Sequence, residues 1–186
     1  MIFGGLDIST KTGLCILGDI ENDSPNVLFA KEIPPVYYPK FEYKDLKRAI
    51  SIAQYLSSRL DDLEQYPDIF LIENYAYGNH YTLATLVEIT TLVKNALYEF
   101  NIPFLCIAPT ALKKFITGSG AAEKHQMKKM CNLKYGFTHE SDNVVDAYCL
   151  ARTLVDIYKG TNVNDLNSER VKFLIKNRYL NMDRNL

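Results

Sequence analysis

The residues of this chain best suited to chemistry are carboxylates that stand at the ends of apolar runs. Asp7 interrupts the run Ile2 to Ile8, where a carboxylate is expensive unless it has a partner. Glu73 directly follows Ile69 to Ile72, at the carboxyl end of an expected strand, the place where open α/β sheets gather their ligands. Asp142 and Asp146 stand four apart at the start of a helical pattern, so both project from one face, while Val144, Ala147, Tyr148 and Ala151 supply the packing side. Taken singly, each has a plain structural use: a turn cap at Asp7, a solvated strand end at Glu73, acids near a helix N-terminus at Asp142 and Asp146. Taken together, carboxylates from three separate elements would repel one another, and a hard cation resolves that repulsion. Asp and Glu oxygens suit Mg²⁺, with Mn²⁺ a natural substitute. Two such ions about 3.5 to 4 Å apart can activate a water and stabilise the leaving oxygen in phosphodiester hydrolysis. No cysteine or histidine nucleophile is then required.

Three short strands come first in the elements that must carry these residues: Ile2 to Ile8, Leu14 to Asp19 after the Lys11-Thr12-Gly13 turn, and Val27 to Ile33. They form an antiparallel meander that Pro34-Pro35 stops. A helix from about Asp45 to Gln65 follows, with Leu46, Ile50, Ala53, Leu56 and Leu60 at helical spacing. Asp68 to Ile72 is a buried strand, Tyr81 to Phe100 a long helix, and Pro103 to Ile107 a second buried strand, so the later strands run parallel through right-handed crossovers. Helices over Pro109 to Ile116, Glu123 to Tyr135 and Asp142 to Tyr158 complete the pattern, the last two ending at Gly136 and Gly160. The fold class is α/β, and this order is that of a ribonuclease H-like mixed five-stranded sheet with helices on both faces. Residues 1–160 form that domain. Residues 161–186 are a polar, Asn-rich extension with room for one short helix over Ser168 to Asn177.

The 186 residues, 47% hydrophobic and 23% charged, suit one globular domain with a sizeable core and exclude disorder as the main description. Lys and Arg number 21 against 22 Asp and Glu, so bulk charge announces no partner and only a local patch can. No stretch reaches the roughly 18 to 20 apolar residues of a membrane span, and the N-terminus lacks a basic leader. Cys15, Cys106, Cys131 and Cys149 are widely spaced without a CxxC pair and read as reduced core thiols, in keeping with a cytoplasmic protein.

The local patch lies between the second and third acids. Residues 111–134 hold six lysines (Lys113, Lys114, Lys124, Lys128, Lys129 and Lys134) against Glu123 alone, an excess of five that can neutralise phosphates. A solvated helix face accounts for Lys128 and Lys129 about as well. The Gly118-Ser119-Gly120 loop can admit a phosphate close to backbone amides. Tyr75 and Tyr77, beside Glu73, can stack on bases, although ordinary packing suits them too, as it does Tyr37, Tyr38, Phe41 and Tyr43. The helix over 81–100 is apolar on more than one side, with Leu83, Leu86, Val93 and Leu97 on one and Ile89, Leu92 and Ala96 on the next, a stripe wider than one sheet covers.

Over roughly residues 2 to 158 the sequence resembles the RuvC-like Holliday-junction resolvases. The segments that carry the likeness are GLDIST with Asp7, LIENYAYG with Glu73, APTALKKFITGSGAAEKHQMKKM, and SDNVVDAYCLA with Asp142 and Asp146. The resemblance implies a ribonuclease H-like fold and a homodimer joined through the helix around 81–100. It also implies nicking of paired strands in four-way DNA junctions, dependent on Mg²⁺ or Mn²⁺. By motif it places metal-binding catalytic carboxylates at Asp7, Glu73 and Asp146, phosphate-contacting lysines at Lys113 and Lys124, and a junction-wedging aromatic near Tyr75 and Tyr77. The family commonly has its last two ligands three residues apart. That spacing points to Asn143, whereas the nearby acid is Asp142; Asp142 is the first choice for the fourth ligand, with Asn143 and His139 as alternatives. The whole DNA-binding set is then Lys113, Lys114, Lys124, Lys128, Tyr75 and Tyr77. Three other readings stay open at this stage: a related nuclease acting on RNA, flaps or forks; a non-catalytic junction-binding module; and an actin-like sugar kinase, which the Asp7 to Gly13 segment also resembles but for whose two lobes the length leaves little room.

Overall fold

The computed structural model describes residues 1–18, 25–34, 44–74 and 80–160. Five strands, β1 (Phe3–Asp7), β2 (Gly13–Gly18), β3 (Asn26–Glu32), β4 (Ile69–Glu73) and β5 (Phe104–Ile107), form one sheet in the order β3-β2-β1-β4-β5. The meander β1-β2-β3 is antiparallel, and β4 and β5 join it in parallel. The helices are α1 (Lys44–Asp61), α2 (His80–Glu99), α3 (Pro109–Thr117), α4 (Lys124–Tyr135) and α5 (Asp142–Lys159). The expected mixed sheet is therefore present.

Side chains alternate across the pleat, and the chain uses both faces. From β2 and β4, Cys15, Leu17, Ile69 and Leu71 enter a core shared with α3, α4 and α5. Their neighbours Leu14, Ile16, Phe70 and Ile72 enter a second core under α1 and α2, where Ile52, Leu56, Ile89 and Val93 are buried. This two-sided burial explains why β4 reads as an unbroken apolar run.

Two glycines decide where α5 lies. A Cβ on Gly5 would stand 2.0 Å from the carbonyl oxygen of Ala147, and one on Gly13 would stand 2.0 Å from that of Asn143. The helix backbone thus rests directly on β1 and β2, a closeness that any larger residue forbids.

In its elements the structure departs from the sequence reading at two places. Helix α1 stops at Asp61 rather than near Gln65, because the amide of Leu63 bonds back to Leu60 in a tightened turn and Pro67 bars the helical conformation to Tyr66. Cys106 is exposed on the edge strand β5, not a core thiol, whereas Cys15, Cys131 and Cys149 are buried as expected. On α2, Ile89, Val93, Ala96 and Leu97 point inward while Val87 and Tyr98 are exposed. The helix expected over Ser168 to Asn177, and Tyr37, Tyr38, Phe41 and Tyr43, lie outside the described residues. No helix among the described residues is long and apolar enough to cross a membrane.

Candidate active site

Asp7 ends β1 and Glu73 ends β4, and the parallel register that pairs Leu6 with Ile72 carries on to bring these two carboxylates side by side. Both strands end on the same edge of the sheet, and alternation turns both acids toward α5. Asp146 stands one turn into α5, where the approach of Asn143 over Gly13 and of Ala147 over Gly5 presses the helix onto those strands. The three carboxylates line one cleft of about 320 Å³, together with Lys113, Lys124 and Asn143.

The two lysines arrive from a helix–loop–helix segment with a locally explicable course. Pro109 opens α3 in its first turn, where its missing N–H is no loss. Gly118 ends α3 with φ at 85°, a left-handed conformation suited to glycine. Glu123 then opens α4 with a capping box, its amide donating to the Gln126 side chain at 2.8 Å. Lys113 on the first helix and Lys124 at the start of the second are thereby set on the same cleft.

Burial and crowding act on the acids in one direction. Burial raises the Asp7 carboxyl well above the usual aspartate range, and Glu73 and Asp146 push it further, against a downward pull from Lys124. Glu73 is pushed up to about 7, by burial first and Asp146 second, with Lys113 and Lys124 opposing. Asp146 rises to about 6, chiefly through burial. Three carboxylates that resist ionising together form a site waiting for positive charge.

Asp142 does not line this cleft, although its charge reaches Asp146 and pushes that carboxyl up. Its side chain pairs with Lys128 at 2.6 Å and Lys124 at 3.8 Å, and the hydrogen bond from Lys128 holds its carboxyl below the ordinary aspartate value. Asn143, one residue on, lines the cleft instead. The phase of the helix is the reason: residues 143 and 146 face the strand ends, while residue 142 turns toward α4. His139 is exposed, and its Nδ1 accepts from the Ser141 amide at 3.0 Å, apart from the carboxylates. Lys128 also donates to the Glu140 carbonyl at 2.8 Å, so its ammonium ties α4 to the start of α5. Lys114 is exposed and does not line the cleft. Tyr75 and Tyr77 lie outside the described residues. Ser9 and Asn74, which the sequence reading passed over, also line the cleft; their only signal is that each lies just past a strand-end acid.

Among the described residues, no three His, Cys, Asp or Glu side chains converge into a ready-made metal cage. The donor set nevertheless fits Mg²⁺ or Mn²⁺. Such ions keep several waters and are commonly held by one or two carboxylates plus substrate phosphates, so an open trio of acids beside two lysines is the expected form. Burial is the first cause of the upward shift at Asp7, Glu73 and Asp146, and like charge adds to it, from Glu73 and Asp146 at Asp7, from Asp146 at Glu73 and from Asp142 at Asp146; a divalent ion would relieve both penalties.

No protein-family model matches the chain. It is 33% identical over 86 residues to the crossover junction endodeoxyribonuclease RuvC of Orientia tsutsugamushi strain Boryong, a stretch covering 44% of this chain and 51% of that one. The chain thus spans about half the length of the curated relatives it matches. Among solved structures, T. thermophilus RuvC in complex with a Holliday junction substrate aligns with a TM-score of 0.69 at 19% identity, over 83% of this chain and 93% of that one. The fold is that of RuvC. The RuvC-like arrangement extends to the yeast mitochondrial Holliday junction resolvase Ydc2, with a TM-score of 0.56 at 13% identity over 99% of this chain and 84% of that one.

Proposed function

We propose that the chain is a metal-dependent, structure-selective endonuclease that nicks paired strands of four-way and other branched DNA. The observation that carries this reading is the meeting of Asp7, Glu73 and Asp146, from three separate elements, in a cleft that also holds Lys113 and Lys124. The relatives named for crossover junction cleavage, and the RuvC fold, support DNA junctions as the substrate class.

In this reading Asp7, Glu73 and Asp146 hold two Mg²⁺ or Mn²⁺ ions, which supply an activated water and charge neutralisation at the leaving oxygen. The chain's own residues do the rest. Lys113 and Lys124 bind the backbone phosphate and orient the scissile bond beside the carboxylates. Asn143 offers a neutral amide at the position where a fourth acid was expected. Asp142 keeps Lys128, and more loosely Lys124, in place through its ion pairs. The buried free thiols Cys15, Cys131 and Cys149 suit a reducing cytoplasm as the place of action.

A homodimer is part of the proposal. On the far side of the sheet, Leu46 and Ile50 of α1 and Val87 and Tyr98 of α2 are exposed, and Ile50, Ala53, Leu92 and Ala96 line a groove of about 440 Å³ between the two helices. A two-fold pairing through this side would match the two-fold symmetry of a junction.

The test is incubation of the purified protein with a labelled four-way junction, with and without Mg²⁺, beside a flap, a linear duplex and an RNA:DNA hybrid. The wild-type protein is expected to nick the junction in preference to the others, and Asp7→Asn to bind it without cutting. An Asp7→Asn protein that cuts at the wild-type rate removes the carboxylate cleft from the mechanism. Junction binding by the wild type with no cleavage in either metal leaves a binding module.

A further inference from the structure

We infer that Glu32, at the end of β3, is a positioning residue for the carboxylate cleft: it holds the first turn of α5 against the sheet and so sets where Asp146 stands relative to Asp7. The inference rests on the metal-binding reading of that cleft. Asp7, Gly13 and Glu32 form a single rung across three strands, Asp7 paired with Gly13 and Gly13 with Glu32. The start of α5 lies over this rung. Its backbone touches the middle of it, since the Asn143 carbonyl oxygen would be 2.0 Å from a Cβ on Gly13. One strand further out, the Ser141 hydroxyl donates to Glu32 Oε2 at 2.6 Å, and Asn143 Nδ2 donates to the same oxygen at 3.4 Å.

The behaviour of Ser141 makes this more than a surface contact. Ser141 is the N-cap of α5, yet its side chain makes no capping hydrogen bond to its own helix. A serine at that position ordinarily accepts from the second or third amide of the helix. Here its hydroxyl is committed as a donor to a carboxylate 109 residues earlier in the chain, which fastens helix to strand. A negative charge beside a helix N-terminus is itself favourable, so Glu32 is suited to both tasks. Asn143 gains an orientation from the same oxygen. An ionised carboxylate only accepts, so the amide nitrogen of Asn143 is the end turned to Glu32 and its Oδ1 is the end left for the cleft that Asn143 lines. Glu32 does not itself line the cleft, and it acts through Ser141 and Asn143.

The experiment is calorimetric titration of the full chain with Mn²⁺ in the absence of DNA, on the wild type, Glu32→Ala, Glu32→Gln, Ser141→Ala, the Glu32→Ala/Ser141→Ala pair and Asp7→Asn. Glu32→Ala and Ser141→Ala are each expected to weaken Mn²⁺ binding about tenfold, the range seen when a partner that orients a metal ligand is removed. The double variant should bind no more weakly than the weaker single one, since both remove the same bond. Glu32→Gln keeps an acceptor oxygen and should recover most of the loss. In the metal-free Glu32→Ala protein, amide hydrogen exchange over residues 142–146 should accelerate while that of α1 is unchanged. A folded Glu32→Ala protein with wild-type Mn²⁺ affinity overturns the inference even if it melts earlier. If Glu32→Ala does not fold, Ser141→Ala is judged by the same criterion. Should Asp7→Asn also leave Mn²⁺ binding unchanged, the metal-binding reading falls with it; should Asp7→Asn alone lose binding, only the role of Glu32 is refuted.

Discussion

Without metal, the protein should be markedly less stable at pH 8 than at pH 5, and excess Mg²⁺ should remove most of that difference. The cause is first the burial of the carboxyls and second their crowding in one cleft. Glu73 moves from its ordinary 4.5 to about 7 and Asp146 from 3.8 to about 6. Both carboxyls hold their protons more tightly in the folded chain than in the unfolded one. Their stabilising contribution is therefore whole below about pH 4, fades as pH climbs through about 6 and 7, and is lost by pH 8. At about 1.4 kcal/mol for each tenfold change in an acid constant, each group accounts for about 3 kcal/mol before solvent screening is allowed for. Asp7 shifts the same way and adds to the loss. Because these groups begin to ionise in the unfolded chain near 4.5 and 3.8, part of this is already lost at pH 5, and the two together leave a fall of at most about 4 kcal/mol between pH 5 and pH 8, large beside a total stability of about 5 to 15 kcal/mol. Urea unfolding in EDTA at pH 5, 6, 7 and 8, repeated with Mg²⁺ in excess, measures it, and Glu73→Gln should flatten the EDTA profile. A stability in EDTA that is level or rises from pH 5 to pH 8 would refute the claim that these carboxyls are buried and hold their protons more tightly in the folded chain.

Gly5→Ala should push α5 off β1, because the new methyl would stand 2.0 Å from the Ala147 carbonyl. A displacement of about 1 Å at Asp146 should lower junction cleavage about 100-fold, and urea unfolding should register a loss of about 1 to 3 kcal/mol. Lys113→Ala and Lys124→Ala should each weaken junction binding and reduce the slope of log affinity against log salt by about one; a slope unchanged in both variants would take these lysines off the phosphate. Asp142→Asn should leave the Mg²⁺ concentration needed for half-maximal nicking near the wild-type value, since Asp142 faces Lys128 rather than the cleft; a large rise would return it to the metal site.

Most of the element order was legible because apolar periodicity reports directly on burial. The runs ending at Asp7 and Glu73 are buried on both sides of the sheet, and a carboxylate that ends such a run stands out. Asp146 was legible through its place beside the packing face of α5. The choice between Asp142 and Asn143 was not, because spacing along a helix fixes which residues share a face but not which way that face turns. That rotation is set by contacts of the α5 backbone with Gly5 and Gly13, more than a hundred positions away in the chain. The same distance hid the partnership of Glu32 with Ser141. Lys128 carried the right charge for phosphate but is committed to the Glu140 carbonyl and Asp142, a use that no local pattern announces. Cys106 read as a core residue because its strand is apolar, and it is exposed because that strand is the last in the sheet.

The sheet divides the molecule into two compartments that share only its strands. Changes on the α1–α2 flank reach the acids by deforming β1 or β4, which neighbouring strands hold on both sides, or through Leu86 of α2, which itself lines the cleft. Away from the proposed pairing surface and from Leu86, that flank is accordingly free to drift in sequence while the carboxylate cleft on the opposite flank keeps its shape.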